Sequence, residues 1–173
     1  DVAIRKMPIR GGPVTVLDSV SPNTPTAGLA LQGDRIIYAS VNNIRFVPTA
    51  GTSTPPSQRT IHTAPTTVTA LHAVSNGVYW GERDGAVRRK VGSTVTTLRA
   101  SGPIPTSIST NQSTAGGGQA WTRCSNQSCE LQFVLLIIQA TRVIGADAFG
   151  VTVKPATRTI FWGDSAGVHR QTF

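Results

Sequence analysis

Residues 77–82 read GVYWGE and residues 159–164 read TIFWGD. The same four-residue core, an apolar residue, an aromatic, a small residue and a polar one, stands twice more, in RIIYAS at 35–40 and QAWTR at 119–123. The anchoring aromatics are Tyr38, Trp80, Trp121 and Trp162, spaced by 42, 41 and 41 residues. Nearly equal gaps of this size are the mark of an array of like structural units.

The flanks repeat as well. A turn precedes each anchor, and a short apolar segment precedes each turn, as in 28–31, 70–74, 107–110 and 150–153. After each anchor come a second tight turn and another strand pattern: NIRFV from Asn43, AVRRKV from Ala86, ELQFV from Glu130 and GVHRQTF from Gly167. A fourth strand follows at 94–98. Each unit is therefore a meander of four short strands joined by hairpin turns. A lone meander cannot bury both faces, whereas radial stacking covers both. The expected fold class is all-β, a β-propeller of four-stranded antiparallel blades, about four in this chain and open to being part of a larger ring. One propeller domain or propeller fragment is expected over 1–173, with repeats near 26–63, 68–99, 105–143 and 148–173 and a partial blade at 1–17. A β-sandwich with coincidental spacing is the competing architecture.

Composition agrees. The 173 residues are 39% hydrophobic but only 14% charged, with 17 Gly and 11 Pro. Thr and Val favour strands, and Gly and Pro punctuate turns. Sixteen basic residues against eight acidic give a net charge of +8. Such a surface attracts anions, whether a glycan, a lipid headgroup surface or an acidic protein. The arginines are scattered apart from Arg88, Arg89 and Lys90, without the interleaved aromatics of a nucleic-acid binder, so nucleic acid is disfavoured. The longest apolar run, 133–138, is of strand length, so no membrane span is expected. The chain opens on Asp1 with neither initiator Met nor signal peptide, which reads as a processed product or a fragment.

The anchor motif resembles the YWTD-type propeller repeat, and more broadly YWTD/NHL-like repeat proteins of the secreted bacterial type. YWGE at 79–82 and FWGD at 161–164 carry the likeness, together with Gly11-Gly12-Pro13. Ser40 and Arg123 stand where that family has Asp. The resemblance implies that the repeated residues are structural, and that the whole ring has about six blades, within the roughly four to eight of propellers. Residues 2–17 look like the last two strands of a unit, and the chain stops after the third strand of another, about 17 strands in all. Either another chain or a further segment is expected to complete the ring, since open strand edges are normally covered. Residues 14–17 could instead supply the fourth strand beside Phe173.

Cys124 and Cys129 flank the turn after Trp121. Facing ends of antiparallel strands suit a hairpin disulfide; reduced thiols or a metal pair are the alternatives, and two ligands are too few for zinc. A disulfide implies an oxidising compartment: extracellular, periplasmic or cell surface. Asn111-Gln112-Ser113 and Asn126-Gln127-Ser128 fit the N-glycosylation pattern. His62, His72 and His169 read as strand residues, Asp34, Asp84 and Glu82 as residues in or beside turns, and Asp147 as a lone acid at a channel entrance. The glycine-rich 113–119 stretch lacks the Lys of a phosphate loop, and no nucleophile elbow occurs. No catalytic residues, metal ligands or cofactors are expected. The function expected is a non-catalytic extracellular or cell-envelope module that binds protein or serves a structural role. Its partner is a protein, or a copy of itself, completing the ring. The Thr/Ser/Pro-rich connection at 48–56 is the candidate contact loop. A lectin-like carbohydrate-binding propeller and a hydrolase or lyase with a channel site are the alternatives.

Overall fold

The structure, a computed structural model, describes residues 2–20, 24, 26–111, 118–124, 129–135, 138–144, 150–154, 157 and 159–172, with the backbone alone at 2, 56, 111, 118, 133–135 and 138–144. Seventeen strands run through the described residues. The first pair is β1 (Val2–Lys6) and β2 (Thr15–Val20). The first full sheet is β3 (Thr26–Gln32), β4 (Arg35–Ser40), β5 (Asn43–Pro48) and β6 (Thr60–Thr63), with a 3-10 turn at Pro56–Arg59. The second is β7 (Val68–Val74), β8 (Gly77–Glu82), β9 (Val87–Val91) and β10 (Thr94–Arg99). The third is β11 (Ile104–Asn111), β12 (Gly118–Cys124), β13 (Cys129–Leu135) and β14 (Ile138–Ile144). A three-stranded sheet of β15 (Gly150–Lys154), β16 (Thr159–Asp164) and β17 (Gly167–Thr172) follows.

Every sheet is an antiparallel meander in chain order. The first strands of successive sheets, β3, β7, β11 and β15, lie against one another in turn, so the sheets stack face to face as blades about an axis. Side-chain alternation makes this stacking work, because both faces of a blade are apolar along the inner strands. The anchor aromatic of each blade points back into the blade before it. Trp80 packs with Ile37, Ala39 and Ile44 of the first full blade. Trp121 packs with Tyr79 and Val87, and Trp162 with Ala120 and Leu131. Tyr38 packs with Ile4, Leu17 and Val20 of the β1–β2 pair, which therefore sits as the outer half of a preceding blade.

The joints are also stitched by hydrogen bonds. Gln32 Nε2 donates to the Val74 carbonyl, Thr69 Oγ1 to the Pro105 carbonyl at 2.7 Å, and the Val151 amide to Ser107 Oγ at 3.2 Å. The turn between β4 and β5 carries Val41 at φ +55°, in the left-handed region that disfavours a β-branched residue. The neighbouring blade grips this turn: the Val68 amide donates to the Val41 carbonyl at 2.8 Å.

The sequence left open whether residues 14–17 pair beside Phe173. β2 pairs with β1, as two strands of one unit would, and among the described strands β17 pairs with β16 and not with β2; Phe173 lies outside the described residues. The salt bridge of Asp18 to Arg59 fastens β2 to the first full blade.

Candidate functional site

The repeat places one set of side chains at the same station in each blade. The anchor faces a polar residue across the second hairpin: Tyr38 opposite Arg45, Trp80 opposite Arg88, Trp121 opposite Gln132 and Trp162 opposite His169. Two residues after the anchor stand Ser40, Glu82, Arg123 and Asp164, all buried. Residues two apart on a strand share a face, so anchor, cross-strand partner and this third residue meet.

In the second full blade the third residue is an acid. Trp80 Nε1 and Arg88 Nε both donate to Glu82 Oε1, each at 2.8 Å. Glu82 Oε2 is buried without a hydrogen-bond partner. The last blade repeats the scheme with an imidazole: His169 Nε2 lies 2.8 Å from Asp164 Oδ1 and the His169 ring stacks on Trp162 at 5.3 Å. That hydrogen bond, above all, holds the Asp164 carboxyl below its ordinary range.

The third blade inverts the polarity. Arg123 fills the acid's place and is fully buried. Its Nη1 donates to Gln132 Oε1 at 3.3 Å, which also accepts from Trp121 Nε1 at 3.1 Å. Its Nε and Nη2 donate to the carbonyls of Pro103 and Ser101, both at 3.0 Å. The guanidinium lies so close over Gly102 that a Cβ there would sit 1.7 Å from Nη2. Burial, and then nearby Arg99, pull the Arg123 pKa down. Three hydrogen bonds to neutral acceptors offset part of that cost.

The first full blade has Ser40 in the acid's place and draws its acid from the preceding strand pair. The Tyr38 hydroxyl donates to Asp18. Arg59 grips both oxygens of Asp18, at 2.8 and 2.9 Å. Burial would raise the Asp18 carboxyl, but the hydrogen bonds from Arg59 and Tyr38 outweigh it and hold it below the usual range. Burial and the Asp18 bond push Tyr38 up to about 12. Burial also lowers the imidazoles of His62 and His72, with Lys90 adding to the effect at His62.

Cys124 and Cys129 face each other at the end of the β12–β13 ladder and form a disulfide with Cα atoms 4.1 Å apart. His62, His72 and His169 lie on β6, β7 and β17 as read from the sequence. Glu82, read as lying in or beside a turn, is the last residue of β8, at the start of the turn that follows, and is buried. Asp147, residues 113–117 of the glycine-rich stretch, Gln112 and Ser113 of the first sequon and all of the second, Asn126-Gln127-Ser128, lie outside the described residues. Among the described residues no three His, Cys, Asp or Glu side chains converge as metal ligands, and no helix is long and apolar enough to cross a membrane. The connection at 48–56 is largely exposed. It is held at its base by Arg59 Nε donating to the Thr54 carbonyl at 2.8 Å and within by the Thr54 amide donating to Thr52 Oγ1 at 3.0 Å. Sequence reading missed Asp18 and Arg59, since neither belongs to the repeat. The only signal was that Ser40 lacks the acid its position calls for.

No protein-family profile and no curated protein matches the chain. Among solved structures it is similar to a chain of the nidogen/laminin complex, at TM-score 0.71 and 15% identity over 98% of this chain and 67% of that one. It is also similar to the β-propeller domain of Myceliophteria thermophila Cps50 (Swd1), at TM-score 0.58 and 11% identity over 92% of this chain and 59% of that one. The WD40 β-propeller domain of Doa1 matches at TM-score 0.54 and 11% identity over 92% of this chain and 72% of that one. The chain thus has the β-propeller fold, and it spans about two thirds of the length of the nidogen/laminin chain.

Proposed function

We propose that the chain is a non-catalytic, protein-binding propeller module of the YWTD type that works outside the cytoplasm. The observation that carries this reading is the use of the chemistry-bearing side chains. Asp18, Glu82, Asp164, Arg59 and Arg123 are each committed to a bond within or between blades. What the scaffold offers a partner is its surface of connections and basic side chains, foremost the exposed 48–56 connection beside the fixed Arg59 turn. The structures it resembles include a chain taken from a nidogen/laminin complex and the protein YCF48 bound to a D1 peptide. The disulfide supports an oxidising compartment. The lectin-like alternative loses its footing because all four anchor aromatics are buried and give no sugar a stacking face.

The net charge of +8 favours a partner with an acidic surface. The test immobilises the folded chain and passes the envelope and secreted proteins of its source over it at about 0.15 M salt. A specific retained protein is expected. Its retention falls at least about tenfold when residues 49–55 are replaced by a Gly-Ser linker, while the variant melts as before. Retention that ignores the replacement, or no retained protein at all, refutes this role for the connection.

A further inference from the structure

The joint between the first two full blades collects basic side chains at its outer mouth. Trp80 faces Arg88 across β8–β9, and Val78 faces Lys90. Residues two apart on a strand share a face, so Arg88 and Lys90 stand on the face that Trp80 turns toward the first full blade. From that blade β6 brings His62, whose ring lies against Trp80 with centroids 5.0 Å apart. Three basic side chains from two blades thus meet around one indole, and both walls of the joint belong to complete four-stranded sheets. The acid among them is Glu82, which is fully buried and shares Oε1 between Trp80 and Arg88. Glu82 therefore offsets Arg88 and leaves Lys90 uncompensated: among the described residues Lys90 has neither an ion pair nor a hydrogen bond. Arg88 gives Nε to Glu82 and Nη1 to Thr97 Oγ1 at 2.6 Å, and its Nη2 has no acceptor among the described residues. His62, Arg88 and Lys90 are all half-buried, held by their surroundings yet within reach of a solute. Burial and then Lys90 hold the His62 imidazole below its usual range; Glu82 opposes them and Arg88 adds to them.

We propose that Arg88, Lys90 and His62 form a binding site for a tetrahedral oxyanion, the sulfate or phosphate group of an ester, at the mouth of this joint. An ammonium half withdrawn from water without a counter-charge is costly, and an anion beside it removes that cost. Lys90 Nζ and Arg88 Nη2 donate to the anion at neutral pH. His62 adds a third donor and a further positive charge once it is protonated. Binding therefore strengthens as pH falls through the His62 titration, and by reciprocity the bound anion moves that titration upward. A tetrahedral ester group suits the site better than a carboxylate, because donors spread over two blades call for three acceptor oxygens and a carboxylate has two. None of the three residues belongs to the 48–56 connection, so this inference stands or falls apart from the partner-binding reading.

Inorganic sulfate is the probe, because it does not titrate near the imidazole. The C2–H signals of the three histidines of the 173-residue chain are followed by NMR against pH. One series holds sodium chloride at about 0.15 M, and the other exchanges part of it for sulfate at equal ionic strength. Sulfate is expected to raise the midpoint of His62. It leaves in place those of His72, which sits against Thr110, and of His169, which is bonded to Asp164. Sulfate should bind about tenfold more tightly well below the His62 midpoint than well above it. Lys90→Met keeps the aliphatic stem and is expected to weaken binding about tenfold or more. Without sulfate the same variant raises the His62 midpoint, since a like charge has gone. Arg99→Gln leaves binding unchanged, because Arg99 faces Val87 on the opposite side of the sheet. Should Lys90→Met misfold, Lys90→Gln carries the same comparison. Phosphoserine and 6-sulfated glucosamine, titrated alike, then tell by the tighter binding which ester the site takes. A His62 midpoint indifferent to sulfate overturns the proposal. So does an equal movement of all three histidines, or a Lys90→Met chain that binds sulfate as the wild type does.

Discussion

At the scale of single residues, Arg123 shows how one station of a repeat can change its chemistry and keep its geometry. The third residue of the anchor station must satisfy the polar group opposite the aromatic, and an acid does this in the second and last blades. Arg123 does it with the charge reversed, and gains the Ser101 and Pro103 carbonyls of the preceding connection as acceptors. Gly102 is what lets it fit, at φ +141° and with no room for a Cβ. Removing one member of a buried polar network leaves the others unpaired. Arg123→Ala is therefore expected to cost about 3 kcal/mol, which lowers Tm by roughly 10 °C for a chain of this length. Thermal unfolding followed by circular dichroism reads this directly, and a loss below about 1 kcal/mol contradicts the account. Nothing in the sequence alone told that Arg123 is buried. A lone arginine after AWT reads as surface, and only the connection folded over it removes water.

At the scale of elements, the strands and their order were legible because their cause is local. Alternating apolar residues, turn residues and the 41-residue spacing are all properties of short stretches, and the meanders follow from them. The disulfide was legible for the same reason, since Cys124 and Cys129 sit at facing ends of one hairpin. A loop this short constrains the unfolded chain by about 2 kcal/mol. Because stacked repeats contact only their neighbours, the effect should stay near its blade. Cys124→Ser with Cys129→Ser is expected to speed amide exchange in β12 and β13 while β7–β10 keep their protection. Equal loss of protection throughout the chain contradicts a local role.

At the scale of the whole molecule, the fastening of the β1–β2 pair to the stack left one trace in the sequence, the missing acid at Ser40, and nothing that named its residues. Asp18 and Arg59 lie 41 residues apart, yet neither recurs in another blade, so no periodicity marks them. Their pairing is what tertiary structure adds. It stands in for the acid that Ser40 does not provide, and Tyr38 completes it by donating to Asp18. Because the Asp18 carboxyl is held below its unfolded value, its contribution is present above about pH 4 and is lost as pH falls through the folded value. Arg59 and Tyr38 do not change charge in that window, so the loss belongs to Asp18. Asp18→Asn leaves Arg59 buried without its counter-charge, a change worth about 3–5 kcal/mol where it acts. In a stack of blades an end unit can let go without the rest. The expected outcome is thus selective: at pH 7 the variant loses amide protection in β1 and β2 and is cut more readily between residues 7 and 14, while β7–β10 are unchanged. The wild-type chain should show the same opening below about pH 4, and the variant should show no further change there. If β1 and β2 instead remain as protected in the variant as in the wild type, the pair is held by the packing of Ile4, Leu17 and Val20 on Tyr38, and the salt bridge is incidental to it.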